Sequence, residues 1–316
     1  MDREVTPPVE LRLTLRRPFL PDSLFGHLAA TAVPGVEEWR GGAYRRTLRL
    51  RGGPAVVALT PHAGHVGCRL WLTDPADRDE AVALCRWLLD LDTDPAPIAA
   101  TLGADPVLAP LLAAAPGRRM PRCPDGAELA LRTVLGQQIS TAAARTHAGR
   151  LVASHGTPVA DPGGGLTHLF PVAGRLADVD PDSLALPHAR RATFRTLARA
   201  LADGDVDLDR HADRDTARAR LAALPGIGPW TIETVAMRAF GDPDAFLPGD
   251  LGVRVAAGTL GLPATPGALT RRAEVWRPWR AYAVLYLWGS GTHAVNFLPP
   301  AGPAGNTPPA RRRRGG

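Results

Sequence analysis

The string Leu224-Pro225-Gly226-Ile227-Gly228-Pro229-Trp230 constrains this chain more than any other segment. It sits between two stretches of helical periodicity. Upstream, Asp215 to Leu224 is predicted as a helix, with Ala217, Leu221 and Leu224 at helical spacing. Downstream, a second helix is predicted over Pro229 to Phe240. There Ile232, Val235, Ala236 and Ala239 form one apolar stripe, and Trp230, Thr234 and Met237 share another face. Glycine reaches positive φ without a Cβ clash and lets another backbone approach closely, so Gly226 and Gly228 mark a tight turn. Pro229 suits the first helical position, where no N–H is needed. Free N–H groups at the positive end of the helix dipole suit a phosphate oxygen.

A lone carboxylate is expected to return to this turn. The second helix is about 18 Å long at ~1.5 Å per residue. Gly241-Asp242-Pro243-Asp244 then signals a turn. Ala245 to Gly249 could retrace most of that length at up to ~3.3 Å each. Asp250 is therefore predicted beside Trp230. Pro248-Gly249 ends the extended run, and a helix is expected to begin at Asp250 or just after it. Asp250 could serve only as that helix's N-cap, paired with Arg254 four residues on. Capping and catalysis are compatible, because a helix start favours a negative charge.

From the hairpin to Asp250 the sequence resembles the helix–hairpin–helix–Gly/Pro–Asp DNA glycosylases. Leu135-Gly136-Gln137-Gln138-Ile139-Ser140 matches a second motif of that family, and Trp276-Arg277-Pro278-Trp279-Arg280-Ala281-Tyr282 with Trp288 matches a third. The third is particular to the branch acting on alkylated bases, the bacterial 3-methyladenine glycosylase II type. Leu24-Phe25-Gly26-His27-Leu28-Ala29-Ala30 resembles that branch's first helix. The likeness runs from about residue 9 to about residue 290. It implies hydrolysis of the N-glycosidic bond of flipped-out alkylated purines in double-stranded DNA. By position it implies Asp250 as the catalytic carboxylate and Trp230, Trp288 and His27 as the base pocket. Gly226, Ile227, Gly228 and Thr231 would contact DNA, and Gln138 would wedge into the vacated stack. Hairpin carbonyls near Leu224 and Ile227 would hold a Na+ or K+ ion. Trp276 and Trp279 read as packing residues, and Tyr282 and Tyr286 stay undecided. Two positions depart from the family pattern. His27 stands where the best-known member of that branch has a phenylalanine, and Gly289 where that member has a tyrosine. A more open or more polar pocket is expected, and a protonated His27 would disfavour a cationic base.

Composition narrows the chemistry. The sequence has no lysine, so all 37 basic residues are arginine. Family members that also nick the strand use a lysine amine, at the position where this chain has Trp230. Without lysine only the N-terminal amine could form a Schiff base, which predicts base removal without strand cleavage. The three cysteines, Cys68, Cys85 and Cys123, are scattered, and none follows Cys123. That excludes the iron–sulfur cluster of several relatives, and no Cys/His spacing suits zinc. Reduced core cysteines of a cytoplasmic, nucleoid-associated monomer are expected. No apolar run makes a signal peptide or spans a membrane. The formal net charge is +6, and Arg311 to Arg314 supply four of those charges. DNA contact is therefore expected to be local and hairpin-centred rather than a broad basic surface.

The expected fold is α+β, with three regions. Residues 1–117 form an N-terminal domain with an antiparallel sheet. Its strands are predicted at Glu10–Arg17, Tyr44–Leu50, Ala55–Leu59 and Gly67–Leu72, and its helices at Pro21–Val33 and Asp79–Leu91. Residues 118–297 form the mainly helical hairpin domain, with a clear amphipathic helix at Ala189–Ala202. Residues 298–316 form a Pro/Gly/Arg tail expected to be disordered. A non-catalytic DNA-binding scaffold, or a glycosylase for another lesion, are the competing readings. The scaffold would need neither Asp250 nor the aromatic residues around it.

Overall fold

The computed structural model describes residues 7–180 and 188–300. The fold is α+β. Its main sheet has five antiparallel strands: β1 (Val9–Leu13), β2 (Glu37–Arg40), β3 (Ala43–Leu50), β4 (Gly53–Pro61) and β5 (Val66–Leu72). Their order is β1-β5-β4-β3-β2. The main helices are α1 (Pro21–Ala30), α2 (Arg78–Leu88), α3 (Pro95–Gly103), α4 (Ala109–Ala114), α5 (Gly126–Leu135), α6 (Thr141–His155), α7 (Ala173–Ala177), α8 (His188–Ala202), α9 (Arg214–Ala222), α10 (Pro229–Ala239), α11 (Leu251–Thr259), α12 (Pro266–Arg272) and α13 (Arg280–Gly289). Among the described residues no helix is long and apolar enough to cross a membrane.

One face of the sheet, through Tyr44, Leu48, Val57, Leu59 and Leu70, packs on Phe25 and Leu28 of α1 and Leu88 of α2. On the other face the Thr47 hydroxyl donates to the His168 carbonyl at 2.9 Å, and Arg49 donates to that of Phe170 at 2.9 Å. Cys68 and Cys85, distant in sequence, meet in this core. Their mutual hydrogen bond and burial push the Cys85 thiol well up.

β2 was not expected, because Glu37-Glu38-Trp39-Arg40 has no apolar alternation. Its register on β3 sets Glu37 opposite Arg46. Glu37 accepts from the Tyr44 hydroxyl at 2.6 Å and pairs with Arg132 at 2.9 Å. Arg46 and Arg132 both reach Glu128, at 3.0 and 2.6 Å. Burial opposes ionisation of Glu37, yet Arg132 and Arg46 overcome it and hold the carboxyl at about 2. This cluster fastens the sheet to α5.

Three predicted boundaries are too long. The first strand stops at Leu13. The helix from Pro21 stops at Ala30, where the Thr31 N–H and hydroxyl both turn back to the His27 carbonyl. The helix predicted to Leu91 stops at Leu88, because Asp90 takes φ +54°. The Asp90 carboxylate gathers the Tyr282 hydroxyl at 2.8 Å, the Met120 N–H at 3.1 Å and Arg122 at 2.7 Å. Tyr282 is thereby a structural residue.

Two further cores hold the helices. One joins α5, α6, α8, α9 and Val235 and Ala239 of α10. The other joins α3, α4, α11, α13 and Ala236 and Met237 of α10. Ala236 therefore sides with Met237 rather than with Val235. Packed on two faces, α10 is a fixed support for whatever stands at its start. α3 and α4 precede residue 117, yet their apolar residues belong to the C-terminal helical core. Residues 298–300 are ordered: Leu298 packs on the sheet-side core, and the Pro300 carbonyl accepts from the Trp39 indole at 3.2 Å. Residues 301–316, with the four-arginine run, lie outside the described residues.

Candidate active site

The hairpin forms where it was expected. The Ile227 N–H closes on the Leu224 carbonyl at 3.2 Å, and Gly226 takes φ +81°. A Cβ on Gly226 would also collide with the Thr193 hydroxyl on α8. Pro225, Gly226 and Pro229 are exposed, whereas the Ile227 side chain is buried in the helical core. Ile227 can therefore offer only its main chain to a ligand. Gly228 caps α10 without a side chain, so the first-turn N–H groups have no capping acceptor.

The return path is fixed by residues that the sequence analysis did not single out. Arg218 on α9 donates to Glu233 on α10 at 3.1 Å, and also to Asp242 in the returning loop. The second oxygen of Glu233 accepts from the Phe246 N–H at 3.1 Å. One chain of charge-assisted hydrogen bonds thus ties both hairpin helices to the segment that delivers Asp250. Its only sequence signal was acidic and basic residues within the two helices and the turn.

Asp250 caps α11, its Oδ1 accepting from the Val253 N–H at 2.9 Å. The same oxygen accepts from the Trp288 indole at 2.8 Å, and Oδ2 accepts from the Trp230 indole at 3.0 Å. The predicted pairing with Arg254 does not form. That guanidinium donates to the Ala264 carbonyl at 2.9 Å. Among the described residues no cationic side chain lies within 4.0 Å of the Asp250 carboxylate. Trp230 remains 38% exposed although two indoles flank the carboxylate. Gly252, also missed from sequence, permits this closeness, since a Cβ there would stand 3.2 Å from both Asp250 Oδ1 and Trp288 Cδ1.

Gln138 is exposed at the tip of the α5–α6 loop with φ +57°. Its neighbour Gln137 donates to the Thr231 hydroxyl at 3.1 Å, which ties that loop to α10. Thr231 is 2% exposed, so its side chain is a strut between the two motifs and does not reach a DNA surface. Of its expected role as a DNA contact, only the main-chain N–H in the first turn of α10 is left.

Two adjoining cavities, of about 640 and 350 Å³, share His27 and Trp288. Asp250 and Gly252 line the larger, and Trp230 and Thr234 the smaller. His27 does not carry the charge considered for it. Burial, with Arg238 and Arg132 nearby, pushes its pKa down to about 3, so the imidazole is neutral near pH 7. Its Nε2 is buried without a partner. Gly289 does not open the pocket either, because the Arg118 guanidinium occupies the space a side chain would take. Trp276 is fully buried, as expected of a packing residue.

Known proteins resemble this chain in sequence and in fold. The AlkA N-terminal domain family matches residues 10–125. The chain is 33% identical to DNA-3-methyladenine glycosylase 2 of Escherichia coli over 272 residues, 84% of this chain and 92% of that one. The chain belongs to that family. It is also 56% identical over 292 residues to the probable bifunctional transcriptional activator/DNA repair enzyme AlkA of Mycobacterium tuberculosis, covering 92% of this chain. It spans 59% of the length of that relative. The solved 3-methyladenine DNA-glycosylase of Archaeoglobus fulgidus shares the fold, with a TM-score of 0.76 at 20% identity over 88% of this chain and 97% of that one.

Proposed function

We propose that this chain is a monofunctional DNA glycosylase that removes alkylated purines from duplex DNA as a monomer, leaving an abasic site. The observation that carries this reading is the Asp250 carboxylate, held by two indole N–H groups beside a glycine hairpin and left without a counter-cation.

A base inside a duplex is out of reach, so the nucleotide must leave the stack. Gln138, on an exposed loop braced to α10 through Gln137, takes the vacated space. The main chain at Gly226 and Gly228, with the first turn of α10, grips a flanking phosphate. The damaged base enters the cavity lined by Trp288 and His27, and its sugar faces Asp250. Alkylation at N3 or N7 puts positive charge on the purine and weakens the glycosidic bond, so the leaving base needs little protonation. As the bond breaks, positive charge builds on the sugar. Asp250 stabilises that oxocarbenium-like centre and orients the attacking water. Its orientation is preset by Val253, Trp230 and Trp288, so little reorganisation is needed. The indole faces add attraction for a cationic base, about 0.5–2 kcal/mol each. With no lysine in the chain, no side-chain amine forms a Schiff base, and the strand stays intact.

The hairpin also fits a monovalent cation. Among the described residues the Ile227 carbonyl accepts no backbone hydrogen bond, and the Leu224 carbonyl accepts one, so hard oxygen donors are available there. A bound Na+ or K+ would add positive charge where the phosphate docks. No cofactor takes part in the chemistry.

Base release from duplex DNA carrying 3-methyladenine or 7-methylguanine tests this reading, with wild type beside Asp250→Asn. Wild type releases the base with the strand intact until alkali, and the variant does not. Binding without release from any lesion would leave a scaffold. Strand cleavage without alkali would overturn the monofunctional assignment.

A further inference from the structure

The outer face of α11 takes no part in the chemistry at Asp250. The helix buries Val253, Ala256 and Ala257 in the core it shares with α13. Leu251, Arg254 and Val255, at the i, i+3 and i+4 positions of one face, stay in solvent. Leu251 is 72% exposed and Val255 61%. A single exposed leucine needs no explanation. Among the described residues, however, six large apolar side chains are exposed, and three of them, Trp230, Leu251 and Val255, stand on the two helices whose starts hold Asp250. Leu251 is the first residue of the helix that Asp250 caps, one Cα step of about 3.8 Å from it. Its Cα–Cβ bond tilts toward the helix N-terminus, the end where the sugar of a flipped nucleotide faces Asp250. Val255 lines the larger cavity with Asp250, and Leu251 stands outside it. Between them Arg254 donates to the Ala264 carbonyl, and among the described residues no carboxylate lies within 4.0 Å of its guanidinium. Two apolar side chains with a cation set between them match a nucleotide strand, in which sugar and base faces alternate with phosphates.

We propose that this face docks the lesion-bearing strand beside the flipped nucleotide, with Leu251 as an apolar wedge and Arg254 on a phosphate. The proposal rests on the glycosylase reading and deepens it. Extrusion of a nucleotide uncovers the faces of the neighbouring bases, which disfavours the extruded state. Gln138 fills part of the gap, but an amide between bases needs hydrogen-bond partners and covers little apolar area. Leucine carries no polar group and is among the side chains that DNA-binding proteins insert at base steps. The two residues come from separate elements joined through the start of α10, where Gln137 bonds Thr231 and Trp230 bonds Asp250. Val255 continues the apolar face toward the cavity. Arg254 adds a phosphate contact, which sets the register of the strand without reading its sequence.

The test is equilibrium binding and single-turnover base release by the full chain, with wild type beside Leu251→Ala, Leu251→Met and Arg254→Met. Fluorescence anisotropy compares an undamaged duplex with one carrying a tetrahydrofuran abasic site, where the gap is already present. Leu251→Ala should weaken binding of the abasic duplex about tenfold, the order expected when a leucine side chain loses an apolar contact. Binding of the undamaged duplex should not change, and Leu251→Met should restore most of the loss. In Leu251→Ala, release of 7-methylguanine should fall about tenfold from a duplex and little from the same oligonucleotide as a single strand, where no pair has to be opened. Arg254→Met should reduce the slope of log affinity against log salt by about 0.9 on both duplexes. Equal losses on duplex and single strand would make Leu251 a structural residue and overturn the proposal. Unchanged binding of the abasic duplex by Leu251→Ala, with base release by wild type, would overturn it and leave the glycosylase reading standing. A salt slope that Arg254→Met does not alter would overturn the phosphate contact. Binding of the abasic duplex that depends on Leu251, with no base released by wild type, would overturn the glycosylase reading and leave the docking face.

Discussion

Among the described residues two carboxylates accept indole N–H bonds, and their surroundings are opposite. Asp105, 5% exposed, takes the fully buried Trp276 indole at 2.6 Å and the Val107 N–H at 2.9 Å, and is paired with Arg272. Burial works against its ionisation, but Trp276, Val107 and Arg272 together draw its pKa below the usual carboxylate range. Asp250 takes two indoles and a main-chain N–H and, among the described residues, has no guanidinium. The donors are alike; the counter-charge and the access to solvent differ. Where the charge is neutralised in place the cluster stabilises the fold, and where it is left unpaired on a cavity it can act on something that arrives.

The largest contrast should come from Asp250→Asn, which keeps the cap and removes the charge. Base release should fall by about 10²–10³, the loss typical of a preorganised electrostatic group. The melting temperature should stay near wild type. A large loss of stability instead would put Asp250 in the class of Asp105. Trp276→Ala should show the reverse pattern: a loss of about 3–5 kcal/mol in denaturant unfolding, with activity per folded molecule retained at low temperature.

Much of this contrast was legible in the sequence. The hairpin glycines and the length of α10 placed Asp250 beside Trp230 on spacing alone. The family motif added Trp288. Asp105 carried no such signal, because its partners Arg272 and Trp276 lie far along the chain and only packing of α4 against the C-terminal helices brings them together. The charged strand β2 escaped for a similar reason: Glu37 looks like surface until Arg46 and Arg132 close on it. Arg118 escaped too. Nothing local marks an arginine that fills the gap left by a glycine 171 positions away. Thr231, by contrast, was placed at the right helix start, but the strut it makes with Gln137 of the α5–α6 loop lies 94 positions away in sequence.

Smaller effects sharpen the comparison. Trp230→Phe keeps an aromatic face and removes one indole N–H from Asp250. It should cost about tenfold in base release, near the net value of a hydrogen bond to a charged group, with little change in stability. The acid limb of the stability curve provides a separate check on His27. Its pKa is lowered from 6.5 to about 3 on folding. Between those values the unfolded chain binds more protons, so stability falls as pH drops from 6.5 toward 3. Glu37, lowered from 4.5 to about 2, adds a loss in the same direction at the lower end of that window. His27→Phe should flatten the upper part of the limb, measured as the denaturant midpoint against pH, and an unchanged slope between pH 6.5 and 5 would contradict a neutral buried imidazole.

The unpaired charge of Asp250 is tested most directly by binding, without turnover. Fluorescence anisotropy can compare two otherwise identical duplexes, one carrying a neutral tetrahydrofuran abasic site and one carrying a pyrrolidine whose ring nitrogen is protonated. The cationic ring mimics the charge that develops on the sugar, and groups built for a transition state bind its mimics more tightly than the ground state. Wild type should bind the pyrrolidine duplex at least tenfold tighter than the tetrahydrofuran duplex, and Asp250→Asn should erase that preference while still binding the neutral one. Equal binding of both duplexes by wild type, or a preference that survives in Asp250→Asn, would contradict the role assigned to this carboxylate.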